Sequence, residues 1–288
     1  MERNDNMSKK IAVINDLSGF GRCSLVAAIS VLSSMGISAC PLPTAILTAQ
    51  TGYDNYYCDD YTDKMDIYTK EWRKLHQSFD GIYTGFLANE SQVDKILNFL
   101  SVFKKNDTFL VVDPVMGDNG KTHGLFTKGL RNEYISLCKE ASVITPNLTE
   151  LCLLTEYDYQ DMIHITDKNT LLSHIASIGK ELCYHSNQHV IVTGISLTMS
   201  NKTRHIGNLH ITKQNVSFFF VPYIGGSYSG TGDLFASCIT AALARGIDID
   251  EMIKKAGVFI SKALEDSVKE HIPYNDGVNF EKFLSYLT

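Results

Sequence analysis

Several features that mark large classes of protein are missing from this 288-residue sequence. No run of about 18 apolar residues occurs, so we predict that no segment spans a membrane. The first ten residues have no apolar centre and do not resemble a secretory signal peptide. The seven cysteines include no Cys-x-x-Cys pair, which argues against a zinc site and a disulfide framework. Together these absences predict a cytoplasmic protein with reduced thiols.

An excess of positive charge is also missing. Lysine and arginine number 26 against 32 aspartate and glutamate residues, which gives a net charge of -6. We therefore expect neither nucleic acid nor an anionic membrane as the main partner, although a nucleotide could bind through local amides and a metal ion. A hydrophobic fraction of 44% is ordinary for a globular protein, and no linker or fixed-period repeat is visible. We predict a single domain over residues 1–288, with residues 1–8 disordered.

A glycine-rich stretch at residues 225–233 precedes a helical pattern. Glycines allow successive amides to face one point, and a helix start adds unpaired N–H groups, so this stretch can cradle a phosphate. Asp233 lies in the first helical turn, where it could take a proton from a hydroxyl group while the amides stabilise the transferred group. Because a helix start favours negative charge, we predict a lowered pKa for Asp233. The alternative is an ordinary loop whose aspartate only complements the helix dipole.

Short apolar runs alternate with helical periodicities, which predicts an α/β fold with a mostly parallel sheet and helices on both faces. Three apolar runs end in polar segments, at residues 15–21, 113–120 and 145–150. Such segments at the carboxyl ends of strands lie where open α/β sheets bind ligands. Asn147 and Glu150 also have the spacing of a capping box, so these two residues could serve only to start a helix.

Two other stretches need separate interpretation. Residues 44–60 show no clear period, and we predict a flap or small extra strands there. From Tyr61 to Phe79, apolar residues recur at steps of four and three, which predicts an amphipathic helix. Its aromatic stripe is expected to pack in the core or in a dimer interface rather than around a cofactor.

The order of the polar segments and their residue sequences resemble those of the ribokinase-like superfamily and, within it, the pyridoxal kinase family. Gly-Thr-Gly-Asp at 230–233 is typical of the superfamily, whereas Asp-Pro-Val-Met-Gly-Asp at 113–118 and Thr-Pro-Asn-Leu-Thr-Glu at 145–150 resemble vitamin kinases. The other matches are Ile-Asn-Asp-Leu-Ser-Gly-Phe-Gly-Arg at 14–22, Thr-Ala-Gln-Thr-Gly-Tyr at 48–53 and Tyr-Thr-Gly-Phe at 83–86. The resemblance covers nearly the whole chain and implies a ribokinase-like three-layer fold with a small flap.

The resemblance also implies roles for individual residues. Asp233 matches the catalytic base that accepts the proton of the substrate's 5′-hydroxymethyl group, and the anion hole is matched by Gly230, Thr231 and Gly232. The substrate ring would be held, beside Asp233, by Asp16, Thr51, Gly52 and Phe86. The ATP site would include Asp113, Asp118, Asn147, Glu150, Thr193 and Val221. Asp113 and Glu150 would hold Mg²⁺, directly or through water. The family further implies a homodimer and leaves the use of a monovalent cation open.

These matches predict ATP-dependent phosphorylation of pyridoxal, pyridoxine or pyridoxamine, as in vitamin B6 salvage. Asp16 replaces the serine of many pyridoxal kinases and resembles the hydroxymethylpyrimidine kinases of thiamine synthesis, which are the main alternative. Phe86 stands where tyrosine is common, and the lid at 118–125 carries Lys121 and His123 but no cysteine. Lys121 is expected either to reach the phosphates or to stay solvated. Sugar kinases of the same fold, and a non-catalytic vitamin- or nucleotide-binding protein, are further alternatives.

Overall fold

We describe the protein from a computed structural model, which describes residues 8–199 and 201–288. The predicted disorder of residues 1–8 falls almost wholly outside this range. The described chain forms a nine-stranded mixed sheet with helices on both faces, and a separate two-stranded hairpin. The α/β architecture with a mostly parallel central sheet is therefore confirmed.

The elements follow the predicted alternation of strands and helices. The strands are β1 (Lys10–Ser18), β2 (Ser38–Leu47), β3 (Cys58–Asp60), β4 (Gly81–Thr84), β5 (Phe109–Val112), β6 (Gly117–Asp118), β7 (Lys121–Thr122), β8 (Val143–Ile144), β9 (His189–Thr198), β10 (Arg204–Ile211) and β11 (Val216–Pro222). The helices are α1 (Ser24–Ser34), α2 (Thr62–Lys74), α3 (Ser91–Phe103), α4 (Lys128–Glu140), α5 (Leu148–Thr155), α6 (Tyr159–Ile163), α7 (Lys168–Glu181), α8 (Thr231–Arg245) and α9 (Ile249–Lys269).

The strand order brings the predicted polar segments together. The order is β11–β10–β9–β8–β5–β4–β1–β2–β3. The strands from β9 to β2 run parallel, whereas β10, β11 and β3 are antiparallel strands at the two edges. Because β1, β4, β5 and β8 lie side by side, their carboxyl ends meet at one edge of the sheet. The predicted segments at 113–120 and 145–150 follow β5 and β8 at this edge. The strand β1, by contrast, continues through Ser18, so the first four residues of the predicted turn at 15–21 belong to the strand.

Alternating side chains of the central strands separate two apolar layers. Val13, Tyr83 and Val111 face the layer formed with α1, α8 and α9. Their sequence neighbours Ile14 and Val112 face the layer formed with α2–α7. Because helices cover both faces, the central strands need apolar side chains on both sides, which explains their unbroken apolar runs.

The helix α2 follows the amphipathic pattern but is shorter than the pattern predicts. It ends at Lys74, so Phe79 lies beyond it, and Leu75 at its end is 63% exposed. The Trp72 ring centroid lies 5.4 Å from that of Phe79 and 6.0 Å from that of Phe99. The stripe therefore packs in the core, which was one of the two predicted interpretations.

Two small additions project beside the main sheet. The strand β2 continues to Leu47 and pairs antiparallel with β3, and residues 48–57 connect the two strands as a flap. The strands β6 and β7 pair as a second hairpin. All seven cysteines are free thiols. Among the described residues, no helix combines the length and apolar character needed to cross a membrane.

Candidate active site

The glycine loop opens α8 in the predicted way. Gly230 precedes the helix with φ of +82°, and a Cβ atom added there would lie 2.0 Å from the carbonyl oxygen of Arg22. Only glycine suits this position, because other residues would be strained and would clash. Leu234 donates to the Gly230 carbonyl at 3.0 Å, so the amides of residues 231–233 precede the hydrogen-bond ladder of the helix. They form the edge of a cradle that suits an anion.

Asp233 sits in the first turn of α8 and is hydrogen-bonded from the opposite side of the cleft. Asn15 Nδ2 donates to Asp233 Oδ1 at 3.1 Å, and the nearby backbone amide of Ser24 lowers the pKa of the same carboxyl group. Ser24 is the first residue of α1. Asp233 is thus held between the end of β1, the start of α1 and its own helix. A carboxylate fixed in this way can orient a hydroxyl group and take its proton.

The predicted direction of the Asp233 pKa shift was wrong. Loss of solvation in the cleft raises the pKa of Asp233 to about 6, although the Ser24 amide and Asn15 lower it, and the charge of Asp16 adds to the rise. Desolvation by the surrounding sheet edge outweighs the helix start, because burial of a charge costs more than a helix dipole returns. Asp233 is consequently a stronger base than a surface aspartate.

Asn15 links the strand ends around Asp233. Its Oδ1 accepts the amide of Phe86 at 2.8 Å and the amide of Asp16 at 3.0 Å, and its side chain is fully buried. A Cβ atom on Gly85 would lie 2.5 Å from Asn15 Nδ2, so the glycine makes room for this side chain. The amide of Asn15 therefore ties β1 and β4 to α8.

Asp16 and Phe86 flank this link as a polar and an apolar wall. Asp16 is 4% exposed and accepts a hydrogen bond from Ser18 Oγ at 2.8 Å. Burial raises the pKa of Asp16, although the Ser24 and Ser18 side chains act in the opposite direction. Phe86 is 8% exposed and packs against Ala45 and Leu47 of β2. Such a pair of walls suits a flat ring that carries a polar group.

A second acidic centre lies at the ends of β5 and β8. Asp113 Oδ1 accepts a hydrogen bond from Thr145 Oγ1 at 2.9 Å, and burial together with the charge of Asp233 raises the pKa of Asp113 to about 7. Burial and the charge of Asp113 raise the pKa of Glu150 well above its usual range. The negative charges of these two buried carboxylates repel each other, and a divalent cation bound beside them would offset that repulsion.

The capping box predicted at Asn147 and Glu150 is present. Asn147 Oδ1 accepts the Glu150 amide at 3.0 Å, and Glu150 Oε2 accepts the Asn147 amide at 2.8 Å. Glu150 Oε1 accepts the amide of Met116 at 3.1 Å, so both carboxylate oxygens are engaged. Glu150 would therefore reach Mg²⁺ through water. No side-chain donor within residues 8–199 and 201–288 contacts the second carboxylate oxygen of Asp113. Among the described residues, no three His, Cys, Asp or Glu side chains converge on a metal site.

The other predicted nucleotide residues are spread around this centre. Thr193 of β9 bridges to Asn147, and its amide donates to the Pro146 carbonyl at 2.9 Å. Asp118 and Lys121 lie on the exposed β6–β7 hairpin, and Ser227 Oγ donates to Asp118 Oδ2 at 3.3 Å. Val221 lies on the edge strand β11, half-buried beside α9. Their roles toward a nucleotide stay predictions.

The flap residues predicted to hold the substrate are placed differently from one another. Thr51 is half-buried, whereas Gly52 is exposed. The Gly52 amide donates to Gln50 Oε1 at 2.7 Å, and its carbonyl accepts from Asn275 Nδ2 at 2.7 Å. Sequence reasoning had not singled out Asn15, Ser24, Gln50 or Asn275. The first three lie in or beside segments that carried the resemblance, but no local pattern marks Asn275.

Comparison with known proteins shows which family and which solved structures the chain resembles. The family profile described as phosphomethylpyrimidine kinase matches residues 23–276. A Bacteroides thetaiotaomicron protein provisionally described as a phosphomethylpyrimidine kinase is 34% identical, with a TM-score of 0.86 over 99% of this chain and 96% of that one. A second crystal form of it, solved with pyridoxal, has a TM-score of 0.84 at 34% identity, over 98% of this chain and 96% of that one.

The curated relatives include proteins named as pyrimidine kinases and proteins named as pyridoxine or pyridoxal kinases. The hydroxymethylpyrimidine/phosphomethylpyrimidine kinase of Bacillus subtilis is 27% identical over 66% of this chain and 65% of its own length. The pyridoxine kinase of the same organism is 28% identical over 69% of this chain and 67% of its own length. Three curated relatives are matched over only 45% to 65% of their own length. Among solved structures, the Leishmania donovani pyridoxal kinase in complex with ADP and pyridoxamine has a TM-score of 0.81 over 97% of this chain and 96% of that one. Its sequence is 19% identical, so this likeness shows the fold alone. The ribokinase-like fold is confirmed.

Proposed function

The chain belongs to the phosphomethylpyrimidine kinase family and has a pyridoxine kinase and a pyridoxal kinase among its relatives, and from this premise we propose that it transfers the γ-phosphoryl group of ATP to the 5′-hydroxymethyl group of pyridoxal, pyridoxine or pyridoxamine. The observation that carries the proposal is Asp233, held by Asn15 Nδ2 at 3.1 Å beside the amides that open α8. The pyridoxal complex of the Bacteroides neighbour supports the choice of acceptor.

In this proposal the cleft supplies position and charge rather than covalent chemistry, as phosphoryl transfer requires. Asp233 orients the acceptor hydroxyl group and takes its proton, and a pKa of about 6 leaves it mostly ionised at neutral pH while it remains a useful base. The amides at the start of α8 stabilise the charge on the transferred group. Asp113, and Glu150 through water, would hold Mg²⁺, which when bound would supply positive charge against the phosphates.

The acceptor ring would lie between Asp16 and Phe86. Phe86 offers an apolar face, and the carboxyl of Asp16 offers a buried polar group with a raised pKa. A carboxyl of this kind can accept a hydrogen bond when ionised or donate one when protonated, so it can meet a ring nitrogen or an amine. The nucleotide would occupy the opposite side, between Asp113, Asn147 and the β6–β7 hairpin.

Phosphorylation of hydroxymethylpyrimidine is the second candidate, because Asp16 and the Bacillus subtilis relative favour it. One assay separates the candidates: ATP consumption and product formation with pyridoxal, pyridoxine, pyridoxamine, hydroxymethylpyrimidine and ribose side by side. We expect the highest kcat/KM with a vitamin B6 form. A higher value with hydroxymethylpyrimidine would support the second candidate, and no turnover with any acceptor would support a binding protein.

Asp233→Asn is the matched variant, because asparagine keeps the shape of aspartate and loses the base. We expect it to lower kcat by about 10²–10⁴-fold while both substrates still bind. Near-normal turnover would remove Asp233 from the mechanism. We further propose a cytoplasmic homodimer, and a monomeric sedimentation coefficient at micromolar concentration would contradict the dimer.

A further inference from the structure

The side chain of Gln50 joins the flap to the glycine loop. Its Nε2 donates to Ser229 Oγ and to the carbonyl oxygen of Asn275, both at 3.1 Å. Its Oε1 accepts the Gly52 amide at 2.7 Å. Gln50 is 9% exposed, and both of its amide protons are used. Because Ser229 directly precedes Gly230, this amide reaches the residue next to the proposed anion hole.

A short turn near the carboxyl end of the chain, at residues 274–276, completes the connection on the flap side. Asn275 Nδ2 donates to the Gly52 carbonyl at 2.7 Å, and the Tyr53 hydroxyl donates to the carboxylate of Asp276. The flap is therefore bound to this turn at three positions, 50, 52 and 53. None of the motifs that predicted the site includes residues 274–276.

The same turn contacts the glycine loop and the loop before α1. The Tyr274 carbonyl accepts the Ser229 amide at 3.1 Å, and the rings of Tyr274 and Tyr228 meet edge to face at 4.7 Å. The Asp276 carbonyl accepts the amide of Arg22 at 3.1 Å. The turn thus holds three loops of the cleft, and each of them carries or precedes a residue of the proposed site.

Close approach of these segments depends on glycines. A Cβ atom on Gly21 would lie 2.7 Å from Gln50 Cγ, and one on Gly226 would lie 2.7 Å from the Tyr274 ring. The flap also makes backbone hydrogen bonds to nearby segments; for example, the backbone N–H of Gln50 donates to the Phe20 carbonyl at 2.9 Å. Within residues 8–199 and 201–288, the Gln50–Ser229 bond is the only side-chain hydrogen bond between the flap and residues 225–230.

We propose that Gln50, supported by Asn275, is a positioning residue that couples acceptor binding at the flap to the geometry of the anion hole. The inference rests on the proposed function, since it assigns the acceptor to the flap side and the phosphoryl group to the glycine loop. Gln50 acts through Ser229 and does not touch the reacting atoms. Binding of the acceptor orders the flap, and the bond to Ser229 transmits that order to residues 230–232.

The first experiment needs no turnover and compares Gln50→Ala with Gln214→Ala, an exposed glutamine on the β10–β11 turn. Hydrogen exchange of residues 225–232 is followed by mass spectrometry in the free full-length protein. We expect faster exchange in Gln50→Ala and unchanged exchange in Gln214→Ala, with thermal unfolding confirming that both fold. Equal exchange in both variants would overturn the proposed link.

The second experiment measures coupling between the two ligands. The Kd of pyridoxal is determined by calorimetry with and without ADP and Mg²⁺, and we expect the nucleotide to tighten it by a factor of about 5 or more in the unaltered protein. In Gln50→Ala we expect that factor to fall toward one, and kcat to fall by roughly tenfold or more while the KM for the acceptor changes less. Coupling that persists in Gln50→Ala would overturn the inference.

Gln50→Glu distinguishes positioning from filling of space. Glutamate keeps the shape and an oxygen for the Gly52 amide but cannot donate to Asn275. We expect it to behave as Gln50→Ala does, and coupling equal to that of the unaltered protein would contradict the role of the donor. Failure of every acceptor to turn over, with altered exchange in Gln50→Ala, would reject the proposed function and leave the link between the two loops standing.

Discussion

The Asn15→Asp variant tests how the sheet edge controls the proton affinity of Asp233. Asn15 donates to Asp233 through Nδ2 at 3.1 Å, while its Oδ1 accepts the amides of Asp16 and Phe86. Aspartate has the same shape, keeps the accepting oxygen and replaces the donor with a second oxygen. The variant therefore removes one donor from Asp233 and leaves the two backbone contacts in place.

The size of the effect follows from these contacts. A hydrogen bond to a charged group contributes about 1.5–3 kcal/mol, and 1.36 kcal/mol corresponds to one pKa unit, so its loss raises the pKa of Asp233 by roughly 1–2 units. Repulsion between the two carboxylates acts in the same direction, because a close pair tends to share one proton. From a pKa of about 6, the apparent value should reach about 7–8 or higher.

The assay is the pH dependence of kcat/KM for the acceptor, followed from about pH 5 to about pH 9 at saturating ATP and Mg²⁺, so that protonation of Asp113 does not limit the rate. Since Asp233 must be ionised to accept the proton, activity falls as pH drops through its pKa, and the acidic limb should move upward in Asn15→Asp. Asn98→Asp, which adds the same charge on the exposed side of α3, should leave the limb in place. An acidic limb that stays near pH 6 in a folded Asn15→Asp variant would refute the assigned role of Asn15.

Three further predictions concern charge and backbone at the same edge. Asp233→Asn should stabilise the fold at neutral pH by roughly 1–3 kcal/mol, because folding raises the pKa of Asp233 from 3.8 to about 6. The gain should vanish below about pH 4, where Asp233 is protonated in the folded and in the unfolded chain; an equal shift in Tm at neutral pH and below pH 4 would contradict this. The Mg²⁺ concentration for half-maximal activity should rise roughly tenfold per pH unit below the Asp113 pKa of about 7, because the carboxyl must lose its proton to bind the cation, and a flat dependence would remove Asp113 from the metal site. Gly230→Ala should cost at least about 1–2 kcal/mol of stability and most of the activity, owing to the positive φ and the contact with Arg22. A denaturant titration of both variants checks this: Gly124→Ala, where an added Cβ meets nothing within 4 Å, should keep the stability of the unaltered protein.

Local chemistry made much of the fold predictable. The capping box of Asn147 and Glu150 and the helix that follows Gly230 are set by residues a few positions apart, so their sequence patterns suffice. The alternation of apolar runs and helical periods likewise fixed a mostly parallel sheet, and with it the edge at which polar segments meet. The length of α2 was less predictable, because apolar spacing continued past the residue where the helix ends.

Other properties depend on segments that are far apart in the chain, and only the tertiary structure decided them. The pKa of Asp233 rises because β1, α1 and α8 together reduce the hydration of its half-buried carboxylate, whereas the sequence indicated only the opposing helix start. Gln50 meets Asn275 across 225 residues, so no local pattern could indicate that contact. Sequence by itself determined which chemical groups reach the sheet edge, because short-range periodicity and turn chemistry place them there. Their proton affinities and mutual positions were decided by packing, because desolvation and hydrogen bonding arise only when distant segments meet.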